Sequence, residues 1–138
     1  AVFSDCGIPW DWAGDIECVW TARTRPIRVN NRDGSSGPCY PDQSEISFEA
    51  LDRPVELTTV TKLPRRIFTF SVEQIAHLRS QCMDGRSWVA LTFADYVDDA
   101  ELRRVLAQFE ALGVPVRLIN YGPHDSDMWT YARGEVAR

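Results

Sequence analysis

The sequence predicts an α+β fold in which a single mixed β-sheet carries two helices packed on it. The first observation behind this prediction is alternation, because Ile16, Cys18 and Trp20 alternate with the residues between them, as in a half-buried strand. The second is that two later segments begin with a helix-capping pattern and continue with apolar residues at helical spacing. The N-terminal part is therefore expected to be an antiparallel meander, and the C-terminal part a β-α-β-α-β section.

Short apolar segments separated by proline and glycine make up the first half of the chain. PIRVN (26–30), EISFEAL (45–51) and VELTTV (55–60) are each typical of a short strand. Proline and glycine between such segments favour reversals of the chain. We expect PIRVN to pair with the strand at residues 16–21.

The second half alternates strands with helices. After RIFTF (66–70), Ser71 and Gln74 form a capping box for the first predicted helix. After SWVALTF (87–93), Asp98 and Glu101 form a second capping box. The second predicted helix then carries apolar residues at helical spacing, namely Leu102, Val105, Leu106, Phe109 and Leu112. VPVRLINY (114–121) is the last strong strand, and the strand–helix–strand order favours a parallel pair, with an antiparallel pair as the alternative.

Length and composition predict one globular domain over residues 1–138, with 1–62 mainly strands and turns and 63–138 alternating strands and helices. Hydrophobic residues make up 44% and charged residues 25%, as in an ordinary soluble domain. No apolar run approaches the roughly 18 residues of a membrane span. The four cysteines show no CxxC pair and no zinc-ligand spacing. These features predict a cytoplasmic protein with no metal and no cofactor.

The net charge of −5 argues against a nucleic-acid binder, since such proteins need a basic face. It suits a protein whose partner is another protein, neutral or basic. The sequence does not indicate an oligomeric state.

RDGSSGPCYPD (32–42) has three interpretations. Its glycines and prolines favour a plain turn, because each is explained by turn geometry. Cys39 on such a loop is an alternative nucleophile if its thiolate forms. The third interpretation is anion binding by loop amides near Arg32.

A second candidate site is NYGPHDSDMW (120–129), which follows the last strong strand. Ligands tend to bind at that end of a strand if it is parallel to its neighbour. His124 and Asp125 lie here, and Asp95 follows the neighbouring strand. A histidine with carboxylates can form an acid–base pair or a metal site, whereas the simpler interpretation is a polar loop with a solvated histidine.

The acidic, tryptophan-containing segment PWDWAGD (9–15) is the candidate partner-binding surface. Trp10 and Trp12 alternate with Asp11, and Asp15 follows. Tryptophan is over-represented among interface anchors, and acidic neighbours would steer a basic partner. Covering one end of the sheet is the alternative role for both rings.

The leading hypothesis from the sequence is a small acidic protein-binding domain, such as an inhibitor or immunity-type protein that occludes a basic enzyme or toxin. The alternative is a small enzyme at the end of the sheet, with Cys39 as nucleophile, His124 as base and Asp125 or Asp95 as the orienting carboxylate. A third hypothesis is a subunit of a larger assembly. The balance is against an enzyme, with no catalytic residue assigned.

Overall fold

The structure is a computed structural model that describes residues 17–31, 34–35, 40–82, 87–132 and 135–137. Within these ranges the strands are β1 (Cys18–Arg23), β2 (Ile27–Arg28), β3 (Asn30–Asn31), β4 (Gly34–Ser35), β5 (Glu45–Ile46), β6 (Arg66–Phe68), β7 (Ser87–Thr92), β8 (Val116–Asn120), β9 (Met128–Ala132) and β10 (Glu135–Ala137). The α-helices are α1 (Val72–Cys82) and α2 (Asp99–Ala111). Short 3-10 helices lie at Glu49–Leu51, Ala94–Tyr96 and Asp125–Asp127.

The main sheet has five strands in the order β1-β7-β8-β9-β10. β1, β7 and β8 are parallel to one another. β9 and β10 extend the sheet as antiparallel strands. The β7–α2–β8 unit is therefore the parallel strand–helix–strand arrangement that the sequence favours.

The α+β class, with a mixed sheet and two helices, is confirmed, but the strands are distributed differently from the prediction. β2, β6 and β5 form a separate three-stranded antiparallel sheet, and β3 pairs with β4 alone. β1 pairs with β7 and not with PIRVN. The reason lies after β1, where Thr24 and Arg25 are buried and tied to distant residues, so that the chain leaves the main sheet before β2.

The segment VELTTV, predicted as a strand, is instead one arm and the tip of a hairpin. Its only ladder contact in the described residues is an isolated bridge between Leu57 and Pro64. The Thr58 amide donates to the Leu63 carbonyl, and the Lys62 amide donates to the Thr58 carbonyl. These two backbone hydrogen bonds close the turn. The β-branched composition was misleading because these side chains do not pack on a sheet, and Val60 is 89% exposed.

One hydrophobic core lies between the main sheet and the helices. Both helices contribute to it, with Ile75 from α1 and four residues from α2. Its fully buried members are Val89, Leu91, Phe109, Val114 and Ile119. The predicted caps are present, since the Asp98 carboxylate accepts from the Glu101 amide at 2.8 Å and the Ser71 hydroxyl accepts from the Gln74 amide at 2.9 Å.

No helix among the described residues is both long enough and apolar enough to cross a membrane.

The core assignment predicts the effect of a matched pair of leucine truncations. Leu91→Ala removes a fully buried side chain from the centre of the core and should lower the free energy of unfolding by about 2–5 kcal/mol. Leu57→Ala truncates a side chain that is 50% exposed and should cost less than about 1 kcal/mol. Urea denaturation followed by circular dichroism measures both, and equal losses would contradict the core described above.

Candidate functional site

The carboxyl ends of the three parallel strands meet at one pocket of about 500 Å³. Arg23 ends β1, Thr92 ends β7 and Asn120 ends β8, and all three line the pocket. Phe93, Asp95 and Tyr96 line it from the segment after β7. Open sheets with parallel strands bind ligands in the crevice outside those strand ends. This pocket, hereafter the strand-end pocket, is therefore the candidate functional site.

Phe93 forms a fixed part of the pocket wall. Its φ is 62°, a left-handed conformation that a bulky residue adopts at a cost of roughly 1–3 kcal/mol. The buried Thr24 hydroxyl donates to the Phe93 carbonyl, and the Thr24 amide donates to the Thr92 carbonyl at 3.1 Å. The Phe93 ring also contacts the Tyr96 ring, with 4.8 Å between centroids. These contacts hold Phe93 in its strained conformation.

Two arginines bring positive charge to the strand-end pocket. Arg53 pairs with Asp95, with 3.2 Å between Nη2 and Oδ2, and it also donates to the Asp95 carbonyl. Arg23 lies with its guanidinium 4.7 Å from the centre of the Phe93 ring. Within the described parts of the chain, no carboxylate forms an ion pair with Arg23. The described residues that line the pocket therefore carry a net positive charge that an anionic ligand would neutralise.

Tyr96 connects the pocket to the hairpin at residues 56–65. Its hydroxyl donates to Glu56 Oε1 at 2.9 Å. Burial and then the neighbouring Glu56 carboxylate raise the pKa of Tyr96 to about 12. The hydroxyl therefore stays protonated, and remains a donor, at neutral pH.

The second sequence-based candidate, residues 120–129, lies where the sequence placed it. β8 is parallel to β7, so the condition for a ligand site at its end is met. Asp95 lines the strand-end pocket, as does Pro123. His124 and Asp125 are exposed, and the His124 amide donates to the Asp127 carboxylate at 2.9 Å within a capping box. His124 is thus the N-cap of the 3-10 helix Asp125–Asp127, and its place in a catalytic pair stays a prediction.

Metal binding has no support in the described residues. No group of three or more histidine, cysteine, aspartate or glutamate residues is placed there to hold an ion.

Several predicted site residues lie outside the described residues. Cys39 is among them, so the proposed contact between Cys39 and His124 stays a prediction. The same holds for the candidate partner-binding residues Trp10, Asp11, Trp12 and Asp15.

Most of the strand-end pocket was not predicted from the sequence. Arg23 was not recognised because its strand was predicted to end at residue 21 and to pair with PIRVN, and Phe93 was not recognised because it was assigned to a strand. The available indication was position: Phe93 and Asp95 follow β7 directly, and Asn120 ends β8. Aromatic and polar residues at the ends of parallel strands are the pattern that would have found the site.

The fold resembles that of part of a larger synthase. No family model matches the chain. It is 42% identical to the N6-succino-2-amino-2'-deoxyadenylate synthase of Cyanophage S-2L, a match that covers 98% of this chain and 38% of the relative. It is 37% identical to the synthase of the same name from Acinetobacter phage SH-Ab 15497, covering 97% of this chain and 36% of that protein. The chain therefore spans little more than a third of these relatives.

A solved structure gives the same result. The Cyanophage S-2L succinoaminodeoxyadenylate synthetase, described as bound to dGMP and to dATP as an energy donor, superimposes with a TM-score of 0.84 and 41% identity. The match covers 96% of this chain and 38% of that chain.

These similarities overturn two sequence-based predictions. The inhibitor or immunity-type function was wrong, because the relatives are synthases. The basic protein partner was also wrong, because the solved relative is bound to nucleotides. The error has a physical cause: the net charge of −5 sums over the whole chain and does not report the arginines gathered at one pocket.

The strained Phe93 predicts a specific role for the Thr24 hydroxyl. Thr24→Val keeps the side-chain shape but removes one of two donors to the Phe93 carbonyl, which still accepts from the Tyr96 amide at 3.1 Å, so we expect a loss of about 1 kcal/mol in the free energy of unfolding. Thr130→Val is the matched control, since that exposed hydroxyl also donates to a backbone carbonyl, that of Ala137 at 3.0 Å. The control should change stability by less than about 0.5 kcal/mol. If urea denaturation gives similar losses in the free energy of unfolding for both variants, Thr24 does not support Phe93.

The raised pKa of Tyr96 predicts a change of stability with pH. Below about pH 10 the tyrosine is protonated in both the folded and the unfolded chain, so it adds no pH dependence. Between pH 10 and 12 the unfolded chain loses this proton first, so stability should fall as pH rises toward the folded pKa of about 12. Tyr96→Phe should show a smaller fall in urea midpoint between pH 9 and pH 11. Equal falls in the two proteins would contradict the assignment.

Proposed function

We propose that this chain forms a nucleotide-binding part of a synthase of the N6-succino-2-amino-2'-deoxyadenylate type. The observation that carries the proposal is the strand-end pocket, where three parallel strands end beside an arginine with no carboxylate partner in the described residues. The bound nucleotides of the solved relative, which is 41% identical, support the same conclusion.

The side chains of the pocket suit the parts of a nucleotide. The Phe93 and Tyr96 rings offer aromatic surface to a base, for which stacking is a general mode of contact. The Arg23 guanidinium has the planar donor geometry that suits phosphate oxygens. The Asn120 amide can donate and accept along the edge of a base.

Thr92 lines the pocket, but its hydroxyl proton is not available to a ligand. Its hydroxyl already donates to the Ala22 carbonyl at 3.1 Å. The Asp95 carboxylate is likewise occupied by Arg53. Arg23 and Asn120 are therefore the polar groups of the pocket that we assign to the ligand.

The complete synthase reaction is proposed for a protein of the relatives' length, since this chain spans 38% of the Cyanophage S-2L synthase. Within it, residues 1–138 are proposed to fold as one globular domain. The cytoplasm remains the proposed location, because an enzyme that uses nucleotides as substrate and energy donor works where free nucleotides are available.

Titration of the chain with dATP, and separately with dGMP, tests the proposal when binding is measured by calorimetry. The wild-type chain should bind at least one of the two. Arg23→Ala should weaken that binding about 5–30-fold, which corresponds to the loss of about 1–2 kcal/mol from one cationic contact. The matched control is Arg104→Ala, because Arg104 is exposed on α2 and does not line the strand-end pocket.

Two results would contradict the proposal. The first is the absence of binding by either nucleotide to the folded wild-type chain. The second is binding that Arg23→Ala and Arg104→Ala leave equally strong, which would place the nucleotide elsewhere.

A further inference from the structure

The hairpin at residues 56–65 is an ordered turn with an exposed tip. Its arms meet at the bridge between Leu57 and Pro64. Thr58 is buried and its hydroxyl accepts from the Leu63 amide at 3.0 Å, which closes the turn from inside. Lys62 adopts a left-handed φ of 54° and is exposed. Strained non-glycine residues of this kind persist only where the surrounding contacts fix them.

A chain of contacts joins the neck of this hairpin to the strand-end pocket. Glu56 and Arg65 flank the Leu57–Pro64 bridge, with 3.3 Å between their charged groups and a 2.8 Å bond from the Arg65 amide to the Glu56 carbonyl. The second Glu56 oxygen accepts the Tyr96 hydroxyl at 2.9 Å. Tyr96 itself lines the pocket, and its ring packs against the ring of Phe93, another lining residue, with 4.8 Å between centroids.

Arg53 restrains the other side of the same tyrosine. Its guanidinium lies 4.8 Å from the centre of the Tyr96 ring, and its partner is Asp95 of the pocket. Tyr96 is thus in contact with the pocket through its ring and with the hairpin neck through its hydroxyl. Nothing else in the described residues of the pocket bonds to Glu56.

We propose that Tyr96 is a positioning residue through which occupancy of the strand-end pocket stabilises the hairpin at residues 56–65 against opening. A ligand that packs on the Tyr96 ring limits its motion, and the hydroxyl then holds Glu56 and its ion pair with Arg65 in place. Binding that restricts a segment in this way couples two sites through conformational entropy. The proposal rests on the proposed function for the identity of the ligand, a nucleotide.

The chain provides a direct measure of order in the hairpin. Lys62 is its only lysine, so a lysine-specific endoprotease cuts the native chain at one peptide bond, in the hairpin tip. The rate of this cut reports how often the tip opens. It is measured with and without a saturating concentration of dATP, and separately with dGMP.

In the wild-type chain, the nucleotide that binds should slow cleavage after Lys62 about 5-fold or more, the lower end of typical coupling between sites. In Tyr96→Phe, at a nucleotide concentration that calorimetry shows to saturate this variant, cleavage should be equally fast with and without the nucleotide. The matched control is Tyr131→Phe, which removes another tyrosine–glutamate bond, 2.9 Å from Glu110, far from the hairpin in the chain. The control should keep the full protection.

Glu56→Gln gives a second, conservative test. Glutamine still accepts the Tyr96 hydroxyl but loses the ion pair with Arg65, so protection should be reduced and not abolished. If Tyr96→Phe does not fold, Glu56→Ala replaces it, because that change removes the acceptor and should abolish protection in the same way.

Coupling must also act in reverse. Wild-type chain already cut after Lys62 should bind the nucleotide more weakly, by a factor up to that of the protection, because coupling free energies are reciprocal and the cut favours the open hairpin. Cut and uncut Tyr96→Phe should bind it equally.

The outcomes separate the two proposals. If calorimetry detects no nucleotide binding to the wild-type chain, the proposed function fails and the coupling fails with it. If the nucleotide binds but does not slow cleavage, or slows it equally in Tyr96→Phe, the coupling is overturned while the proposed function stands.

Discussion

The parallel pairing of β1 with β7 is the constraint on which the rest of the structure depends. The two strands align over six residue pairs, from Cys18 with Ser87 to Arg23 with Thr92. Everything between them in the chain, including the small antiparallel sheet and α1, must therefore fold back within one long connection. Directly after the last residue pair, the Thr24 hydroxyl donates to the Phe93 carbonyl. The buried Arg25 forms an ion pair with Glu101 of α2, with 2.5 Å between Nη2 and Oε2. The pairing thus places one wall of the pocket and one end of a helix at the same time.

The strand-end pocket combines an acidic protein with a locally basic site. Arg53 is balanced by Asp95, which leaves Arg23 to attract an anion. Such a site does not need a basic protein, because ligand attraction depends on charges within about 8–10 Å at physiological salt. The pocket also meets the hairpin at residues 56–65 through Tyr96, so that binding and local order share one side chain.

Much of the fold was predictable from the sequence, whereas most of the site was not. α2 has a capping residue, Asp98, and apolar spacing that act locally, so its position could be inferred. The partner of β1 is set by contacts between residues far apart in the chain, which alternation cannot report. The run VELTTV has strand composition but no sheet to join, because hydrogen bonds around Thr58 turn it back. Asp95 and the region after β8 were found because they follow recognisable strands, whereas Arg23 and Arg53 come from segments whose placement is purely tertiary.

The same long connection has a consequence for how the chain is made. β1 is synthesised well before β7, and at roughly 5–20 residues per second its partner emerges only after several seconds. During that interval the half-buried face of β1, with Trp20, has no sheet to cover it. Local elements such as the hairpin at residues 56–65 can form early, whereas non-local parallel pairing is slow. β1, the first strand among the described residues, is therefore among the last to find its place, and a nascent chain stalled before Thr92 would expose an unpaired strand edge to aggregation.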